Sequence, residues 1–144
     1  MTHTCISLFS GGLDSLLAIA VLAKQEIDVI AFHGTSVFTP RSDTDEGRAQ
    51  ARKMALSAGA RDIVFRDQTE AMIAFTKSPR CGYGKHLNAC LDCRMMTLAN
   101  GKAVMDEHGA DFLATGEVVG QRPMSQRRDA MRRVDKFIGE IGLE

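Results

Sequence analysis

The sequence predicts an α/β protein whose doubly wound parallel sheet has four or five strands flanked by helices. Short apolar runs alternate with segments of helical periodicity along the 144 residues, a pattern typical of parallel sheets with right-handed crossovers. The apolar runs end in glycine or polar residues, as expected where strands leave a sheet. No repeat or shift of composition marks a boundary, so residues 1–144 are predicted to form one domain.

The composition excludes several classes of protein. A content of 44% hydrophobic and 25% charged residues is that of a soluble globular domain. Lys plus Arg and Asp plus Glu both number 18, so the bulk charge attracts neither nucleic acid nor an anionic membrane. No apolar run approaches a membrane span, and the first residues do not resemble a signal peptide. We therefore expect a cytoplasmic protein without membrane contact, whose four cysteines are not structural disulfides.

The elements of the first half follow from local patterns. Residues 5–9 form a short apolar strand, and apolar positions with helical spacing follow between residues 13 and 25. Residues 27–32, rich in β-branched side chains, are predicted to form a second strand that ends at His33 and Gly34. A loop then precedes a helix over residues 45–58, for which Gly59 is the stop signal. A third strand over residues 63–65 and a brief helix over 69–75 complete this half.

The second half opens with a long irregular stretch over residues 77–92, of a length that is usually functional or mobile. Helical periodicity then resumes and stops at Gly109, residues 111–115 form the fourth strand, and Gly116 marks its end. A helix over residues 125–138 closes the chain. Because ligands bind beyond the carboxyl ends of parallel strands, the segments that follow the strands should converge on one cleft.

The segment Ser-Gly-Gly-Leu-Asp-Ser, which begins at Ser10, joins the first strand to the first helix. Its adjacent glycines let the backbone turn tightly and present N–H groups to an anion, and the helix adds the positive end of its dipole. Ser10 and Ser15 offer hydroxyl donors, and Asp14 could hold Mg²⁺ against phosphate oxygens. The segment predicts a polyphosphate site that is neither a Walker motif nor a dinucleotide motif. The alternative is an ordinary strand-to-helix turn.

The cysteines allow several chemistries. Cys90 and Cys93 form a C-x-x-C at the start of a helix, whose dipole is expected to lower their thiol pKa. Together with Cys81 they could hold three irons of a [4Fe–4S] cluster, or with Cys81 and His86 they could ligate Zn²⁺. They could equally provide a catalytic or persulfide thiol or a redox dithiol, or simply be buried. Cys5 lies in the first strand and is predicted to serve packing.

A second polar signature follows the fourth strand. Gly116 allows the backbone to approach a ligand, and polar contacts are offered by Glu117, Gln121, Ser125 and Gln126. Taken alone, this stretch could be a polar loop that leads into a helix.

The two signatures together carry a family resemblance. Ser-Gly-Gly-x-Asp-Ser resembles the PP-loop of the ATP pyrophosphatases. Gly-Glu-x-x-Gly-Gln-x-x-Ser-Gln, preceded by Cys-Arg-Met-Met, looks like the pyrophosphatase domain of the tRNA 4-thiouridine synthetases and the related tRNA 2-thiouridylases. The resemblance implies an adenine nucleotide alpha hydrolase-like, HUP-type fold over nearly the whole chain. It also implies an enzyme that adenylates a uridine oxygen of tRNA with ATP, releases pyrophosphate and inserts sulfur.

The resemblance further implies roles for single residues. The positions that match the pyrophosphate-binding loop are Ser10, Gly11, Gly12, Asp14 and Ser15. Those that match the strand end where adenine and ribose rest are Phe32, His33 and Gly34. The residues of the second signature that would complete the ATP site are Gly116, Glu117 and Gln121. Cys93 aligns with the sulfur-handling cysteine and Cys90 with its partner in cluster-binding relatives, so the predicted catalytic residues are Asp14, Cys90 and Cys93.

The implied partners are ATP with Mg²⁺, tRNA, and a sulfur donor protein or sulfide. Since the family's RNA-binding modules usually precede the loop, tRNA recognition is expected to need a further domain or subunit. A further strand usually follows the last helix, so we also expect a domain truncated at its C-terminus. Self-association into a homo-oligomer is left open. The arginines near the C-terminus could contact RNA phosphates or the ATP phosphates, or could simply lie on the outer face of a terminal helix; they are Arg122, Arg127, Arg128, Arg132 and Arg133.

Two further functions are compatible with the sequence. One is a nucleotide- or metal-binding module without catalytic activity. The other is a PP-loop adenylating enzyme with a substrate other than RNA, which the three clustered cysteines argue against because amide formation needs no thiolates.

Overall fold

The computed structural model describes residues 2–41, 43–83, 89–121 and 126–143. In this part of the chain, strands and helices follow one another in the predicted order. They are β1 (Thr4–Leu8), α1 (Leu13–Lys24), β2 (Asp28–Thr35), α2 (Asp45–Ser57), β3 (Asp62–Asp67), α3 (Thr69–Lys77), α4 (Cys90–His108), β4 (Phe112–Ala114) and α5 (Arg128–Glu140). None of these helices has the length and apolarity that a membrane crossing requires.

The described strands form one parallel sheet in the order β3-β2-β1-β4. In the register of this sheet, Ile6 of β1 lies between Ile30 of β2 and Leu113 of β4. The chain winds from β1 outward to β3, and α4 then carries it back past β1 to β4. This reversal creates a topological switch point between β1 and β4, where open α/β sheets bind ligands.

Helices cover both faces of the sheet because alternate side chains of each strand point to opposite sides. On one face, Cys5 of β1 packs with Ile19 of α1 and Ala55 of α2. On the other face, Ile6 packs with Val104 of α4, and α5 packs against α4 from outside. The doubly wound α/β architecture predicted from the sequence is therefore confirmed.

The second and third strands are longer than predicted. β2 continues through His33, Gly34 and Thr35, so the prediction that the chain leaves the sheet at His33 and Gly34 is wrong. The cause is backbone pairing with β3, in which Gly34 lies opposite Arg66 and Thr35 opposite Asp67. Arg66 and Asp67 interrupt the apolar run in the sequence, but β3 lies at the edge of the described sheet, where polar side chains reach water.

Two helices end at the glycines that the sequence identified as stop signals. Gly109 follows α4 with a left-handed φ of 61°, and Gly59 follows α2 with a φ of 108°. The last helix begins at Arg128, later than the predicted position 125. Ser125 itself lies outside the described residues.

Candidate functional site

A cavity of about 860 Å³ opens beyond the carboxyl ends of the strands. Its walls come from the loop after β1, the ends of β2 and β3, the first turns of α4 and the segment after β4. Cavities of this size are typical of sites for small ligands. The residues singled out from the sequence that lie on its walls are Ser10, Asp14, Ser15, Phe32, His33, Gly34, Cys90, Cys93, Gly116 and Glu117.

Three other residues of the expected nucleotide site do not line the cavity themselves. Gly11 and Gly12 shape the loop beneath it, whereas Gln121 is exposed. Gln126, five residues farther along, is buried and does line the cavity. The backbone N–H of Gly120 donates to the Gln126 carbonyl at 2.9 Å.

The loop after β1 is closed by its own hydrogen bonds. Gly11 has a φ of 86°, which favours glycine, and Gly12 is the N-cap of α1. The Ser15 hydroxyl donates to the Gly12 carbonyl at 2.8 Å and lies 3.3 Å from the Ser10 hydroxyl. No side chain of the described residues caps α1, so its first N–H groups and the positive end of its dipole remain available to an anion.

Gly116 joins the second signature directly to this loop. A Cβ at position 116 would lie 2.6 Å from the Asp14 carbonyl oxygen and 2.8 Å from the Ser15 nitrogen. These neighbours are backbone atoms, so only glycine lets the end of β4 pack against the loop. The two signatures, about 100 residues apart in the chain, are therefore in contact at the switch point between β1 and β4.

His33 lies at the end of β2 between two aromatic rings. Its ring centroid is 5.8 Å from that of Phe9 and 5.7 Å from that of Phe65. Nδ1 lies 2.7 Å from the Phe9 carbonyl oxygen, which requires Nδ1 to carry the proton and donate it. Burial lowers the pKa of His33, with the Phe9 hydrogen bond opposing and the Arg48 charge adding to the effect. The imidazole is therefore neutral near pH 7, and its Nε2 is an acceptor without a hydrogen-bond partner among the described residues.

An ion pair connects α4 to the segment after β4. Arg94, directly after Cys93, pairs with Glu117, and both side chains are largely shielded from solvent. Both residues line the cavity. The pair fixes the guanidinium at the wall of the cleft, where it adds positive charge near any bound phosphate.

Cys90 and Cys93 lie on the cavity wall in the first turn of α4. The expectation that the helix dipole lowers the thiol pKa is wrong for Cys93, because burial raises its pKa and the neighbouring Cys90 raises it further. The loss of hydration of a thiolate outweighs the attraction of the helix N-terminus here. Cys93 is therefore a neutral thiol at pH 7.

Cys81 lies in a different environment from Cys90 and Cys93. Its sulfur lies 3.9 Å from the sulfur of Met95, within the apolar cluster between α4 and α5, and it does not line the cavity. The Asp92 carboxylate accepts hydrogen bonds from the backbone N–H groups of Arg80 and Cys81 at 2.7 and 3.2 Å, which holds this segment in place.

The iron–sulfur cluster that the sequence left open stays a prediction. In the described ranges, no group of three or more His, Cys, Asp or Glu side chains could hold a metal ion. The zinc alternative also involves His86, which lies outside the described residues. Cys5, in contrast, is fully buried in β1, and burial raises its pKa to about 11, so its predicted packing role is confirmed.

Sequence reasoning missed Gln68 and Arg94 as residues of the cleft. Arg94 could have been found, since it belongs to the Cys-Arg-Met-Met stretch that supports the family resemblance. Gln68 follows the charged end of β3 and carries no motif; only the fold brings it into the cavity. Gln126 was noted as a polar residue, but no pattern distinguished it from Gln121.

The chain is similar to known proteins in sequence and in fold, although not to any protein-family model. No protein-family model matches the chain. The chain is 27% identical over 120 residues to a curated "Probable tRNA sulfurtransferase" of Thermococcus kodakarensis, a match that covers 81% of this chain and 30% of that protein.

Two solved structures share the fold. A 4-thiouridine synthetase, crystallised with RNA and bound ATP, superposes with a TM-score of 0.75 at 19% identity over 94% of this chain and 34% of its own. An NMN synthetase of Francisella tularensis superposes with a TM-score of 0.55 at 13% identity over 93% of this chain and 62% of its own. The chain thus spans about a third of the length of the two thiolation proteins it matches. In sequence and in fold, it is close to the PP-loop enzymes of tRNA thiolation.

Proposed function

We propose that this chain is the activating part of an ATP-dependent tRNA thiolation enzyme, which adenylates a uridine oxygen and directs sulfur to the activated carbon. The observation that carries the proposal is the meeting of the loop after β1, the segment at Gly116 and the Cys90/Cys93 pair in one cavity. The choice of tRNA rests on the similarity to a tRNA sulfurtransferase. The choice of ATP rests on the loop and on the nucleotide held by the 4-thiouridine synthetase.

The chain's first task is to hold the triphosphate. The loop from Ser10 to Ser15 receives the β- and γ-phosphates, with the open N-terminus of α1 and the serine hydroxyls as donors. Arg94, held by Glu117 on the opposite wall, adds a guanidinium for the remaining phosphate charge. This charge distribution is fixed before the nucleotide binds, so that little reorganisation is needed during the reaction.

The loop also fits Mg²⁺, since Asp14 contributes a carboxylate to the cavity that Ser10 and Ser15 also line, and oxygen ligands are those this ion prefers. Among the described residues, Asp14 makes no ion pair that would compete for its oxygens. When bound, the ion would neutralise charge on the phosphates.

In the adenylation step, the uridine oxygen attacks the α-phosphorus. The new O–P bond forms as the bond to the β-phosphate oxygen breaks, and pyrophosphate leaves with those electrons. The chain contributes orientation of the two reactants and donors for the departing pyrophosphate. The product is a uridine whose oxygen can leave as AMP.

In the sulfur step, a persulfide donor first loads Cys93 with a terminal sulfur. That sulfur attacks the activated carbon, the C–O bond breaks, AMP leaves and a proton is lost to water. Cys90, three residues earlier on the same face of α4, then attacks the Cys93 sulfur and forms a Cys90–Cys93 disulfide. The sulfur stays on the nucleoside, and an external dithiol reduces the disulfide for the next turnover.

The test is pyrophosphate release from ATP by the purified chain in the presence of bulk tRNA, followed by measurement of thionucleoside. Asp14→Ala should reduce pyrophosphate release by at least about 100-fold because charge neutralisation at the phosphates is lost. Cys93→Ser should leave pyrophosphate release intact and abolish the thionucleoside. Asp45→Ala is the matched control, since Asp45 also lies in the first turn of a helix, away from the cavity.

Pyrophosphate release that persists in Asp14→Ala would contradict the assignment of the loop after β1 as the phosphate-binding site. Release at the same rate without tRNA would instead point to an adenylating enzyme with another substrate. Nucleotide binding without any release would leave the chain as a binding module.

A further inference from the structure

Gln68 follows β3 directly and sends its side chain into the cavity beside Gly34. We propose that Gln68 reads the base of the bound nucleotide, its amide pairing with the amino group and a neighbouring ring nitrogen of adenine. The inference rests on the nucleotide site proposed above and adds the residue that selects adenine over other purines.

The side-chain amide of Gln68 is buried, and its nitrogen has no partner within the described part of the chain. The residue is only 6% exposed, and its Nε2 has no hydrogen-bond partner among the residues that the structure describes. A buried amide N–H without an acceptor is costly and rare in folded proteins. Gln68 is one of the residues that line the cavity, so a rotation of its side-chain amide would let Nε2 donate to an acceptor on a bound ligand.

The backbone holds Gln68 in one place. Its N–H donates to the Thr35 carbonyl at 2.8 Å, and its carbonyl accepts from the Met72 N–H at 2.9 Å. The residue is thus tied to the end of β2 on one side and to the first turn of α3 on the other. The backbone at Gln68 is therefore fixed before the ligand arrives, which reduces the entropy lost on binding.

Gly34 leaves the space that this amide occupies. A Cβ at position 34 would lie 2.1 Å from Oε1 and 2.5 Å from Cδ of Gln68. Position 34 has no left-handed φ, and it lies inside β2, so backbone freedom does not explain the glycine. The glycine is explained by the side chain that packs on it.

The position also suits the base of a nucleotide held by the loop. β3 lies two strands from β1, about 10 Å away at ordinary strand spacing. A nucleotide with its terminal phosphates on the loop after β1 can therefore extend its base across the end of β2 toward Gln68. A glutamine amide matches adenine with two hydrogen bonds, one accepted from the amino group and one donated to a ring nitrogen.

The test compares Mg-ATP with Mg-ITP, in which a carbonyl replaces the amino group of adenine, by calorimetric titration of the purified chain. The wild type should bind ATP about tenfold or more tightly than ITP. Gln68→Leu should bring the two dissociation constants together, mainly by weakening ATP. Gln50→Leu is the matched control, because Gln50 is exposed on α2 and away from the cavity.

Gly34→Ala provides a second variant that leaves Gln68 in the sequence. The added methyl group should displace the Gln68 amide and reduce the preference for ATP over ITP. In a chain that already carries Gln68→Leu, Gly34→Ala should not change this preference further. If Gln68→Leu fails to fold, as judged by circular dichroism, the ATP and ITP affinities of the wild type and of Gly34→Ala show whether Gln68 selects adenine.

An ATP/ITP ratio near one in the wild type would overturn the role of Gln68, as would an unchanged ratio in both variants. In either case ATP binding itself would still support the proposed function. No binding of ATP by the wild type would overturn the nucleotide site and this inference with it.

Discussion

At the scale of single residues, burial sets the charge of the groups in the cleft. Burial lowers the pKa of His33 and raises the pKa of Cys93, so each shift favours the neutral form. A neutral thiol is a weak nucleophile, because thiolate is the reactive species. At neutral pH Cys93 therefore reacts slowly with electrophiles, and its loading by a persulfide donor requires loss of the thiol proton.

The pH dependence of alkylation measures the reactivity of the Cys93 thiol. The rate of modification of Cys93 by iodoacetamide should rise with pH, with a midpoint above the usual thiol value of 9.0, because burial raises its pKa. The measurement is a pH series with mass spectrometry of the peptide that contains Cys93. Cys5 should stay unmodified until the protein unfolds, since it is fully buried. A midpoint below 9.0 would mean that the helix dipole lowers the pKa of Cys93 by more than burial raises it.

At the scale of elements, α4 approaches the sheet closely at one glycine. A Cβ at Gly101 would lie 2.9 Å from side-chain carbons of both Leu8 and Leu113, so α4 approaches β1 and β4 closely at this point. Gly139, near the end of α5, has open space around it. The same substitution should therefore have opposite effects in the two helices.

Gly101→Ala should destabilise the protein by about 1–3 kcal/mol through overpacking. Gly139→Ala should stabilise it by about 0.5–1 kcal/mol, since alanine loses less backbone entropy in a helix. Urea unfolding followed by circular dichroism gives both values. Stabilisation by both substitutions would contradict the close approach of α4 to the sheet.

Local patterns predicted those parts of the fold that local chemistry determines. Gly59 and Gly109 ended their helices as expected, and the Ser10–Ser15 segment stands between a strand and a helix. The full lengths of β2 and β3 were missed because they depend on pairing between the strands, which no single segment contains. Gln68 was missed for the same reason, since its place in the cavity follows from contacts with Gly34.

At the scale of the whole molecule, the distribution of charge matters more than its sum. The chain has 18 residues of each sign, and many of its cations are neutralised locally. The arginines paired with a carboxylate on a different element or loop include Arg48, Arg52, Arg61, Arg66, Arg80 and Arg94. Within the described ranges, the exposed Arg128, Arg132 and Arg133 of α5 make no ion pair.

This unpaired cluster on α5 is the surface that we expect to contact RNA phosphates. α5 begins two residues after Gln126, which lines the cavity, so RNA held there would lie near the cleft. Replacing Arg128, Arg132 and Arg133 with glutamine should weaken tRNA binding. It should also reduce the slope of log affinity against log salt by about 2–3, since up to three phosphate contacts are lost.

The matched control replaces Lys24, Lys53 and Lys77 with glutamine. These exposed lysines lie on other helices and make no ion pair among the described residues, so the control removes the same total charge from different surfaces. Filter binding of bulk tRNA over a salt series would give both slopes. Equal losses in the two triple variants would show that net charge alone governs binding, whereas a loss confined to the α5 variant would place the RNA on that helix.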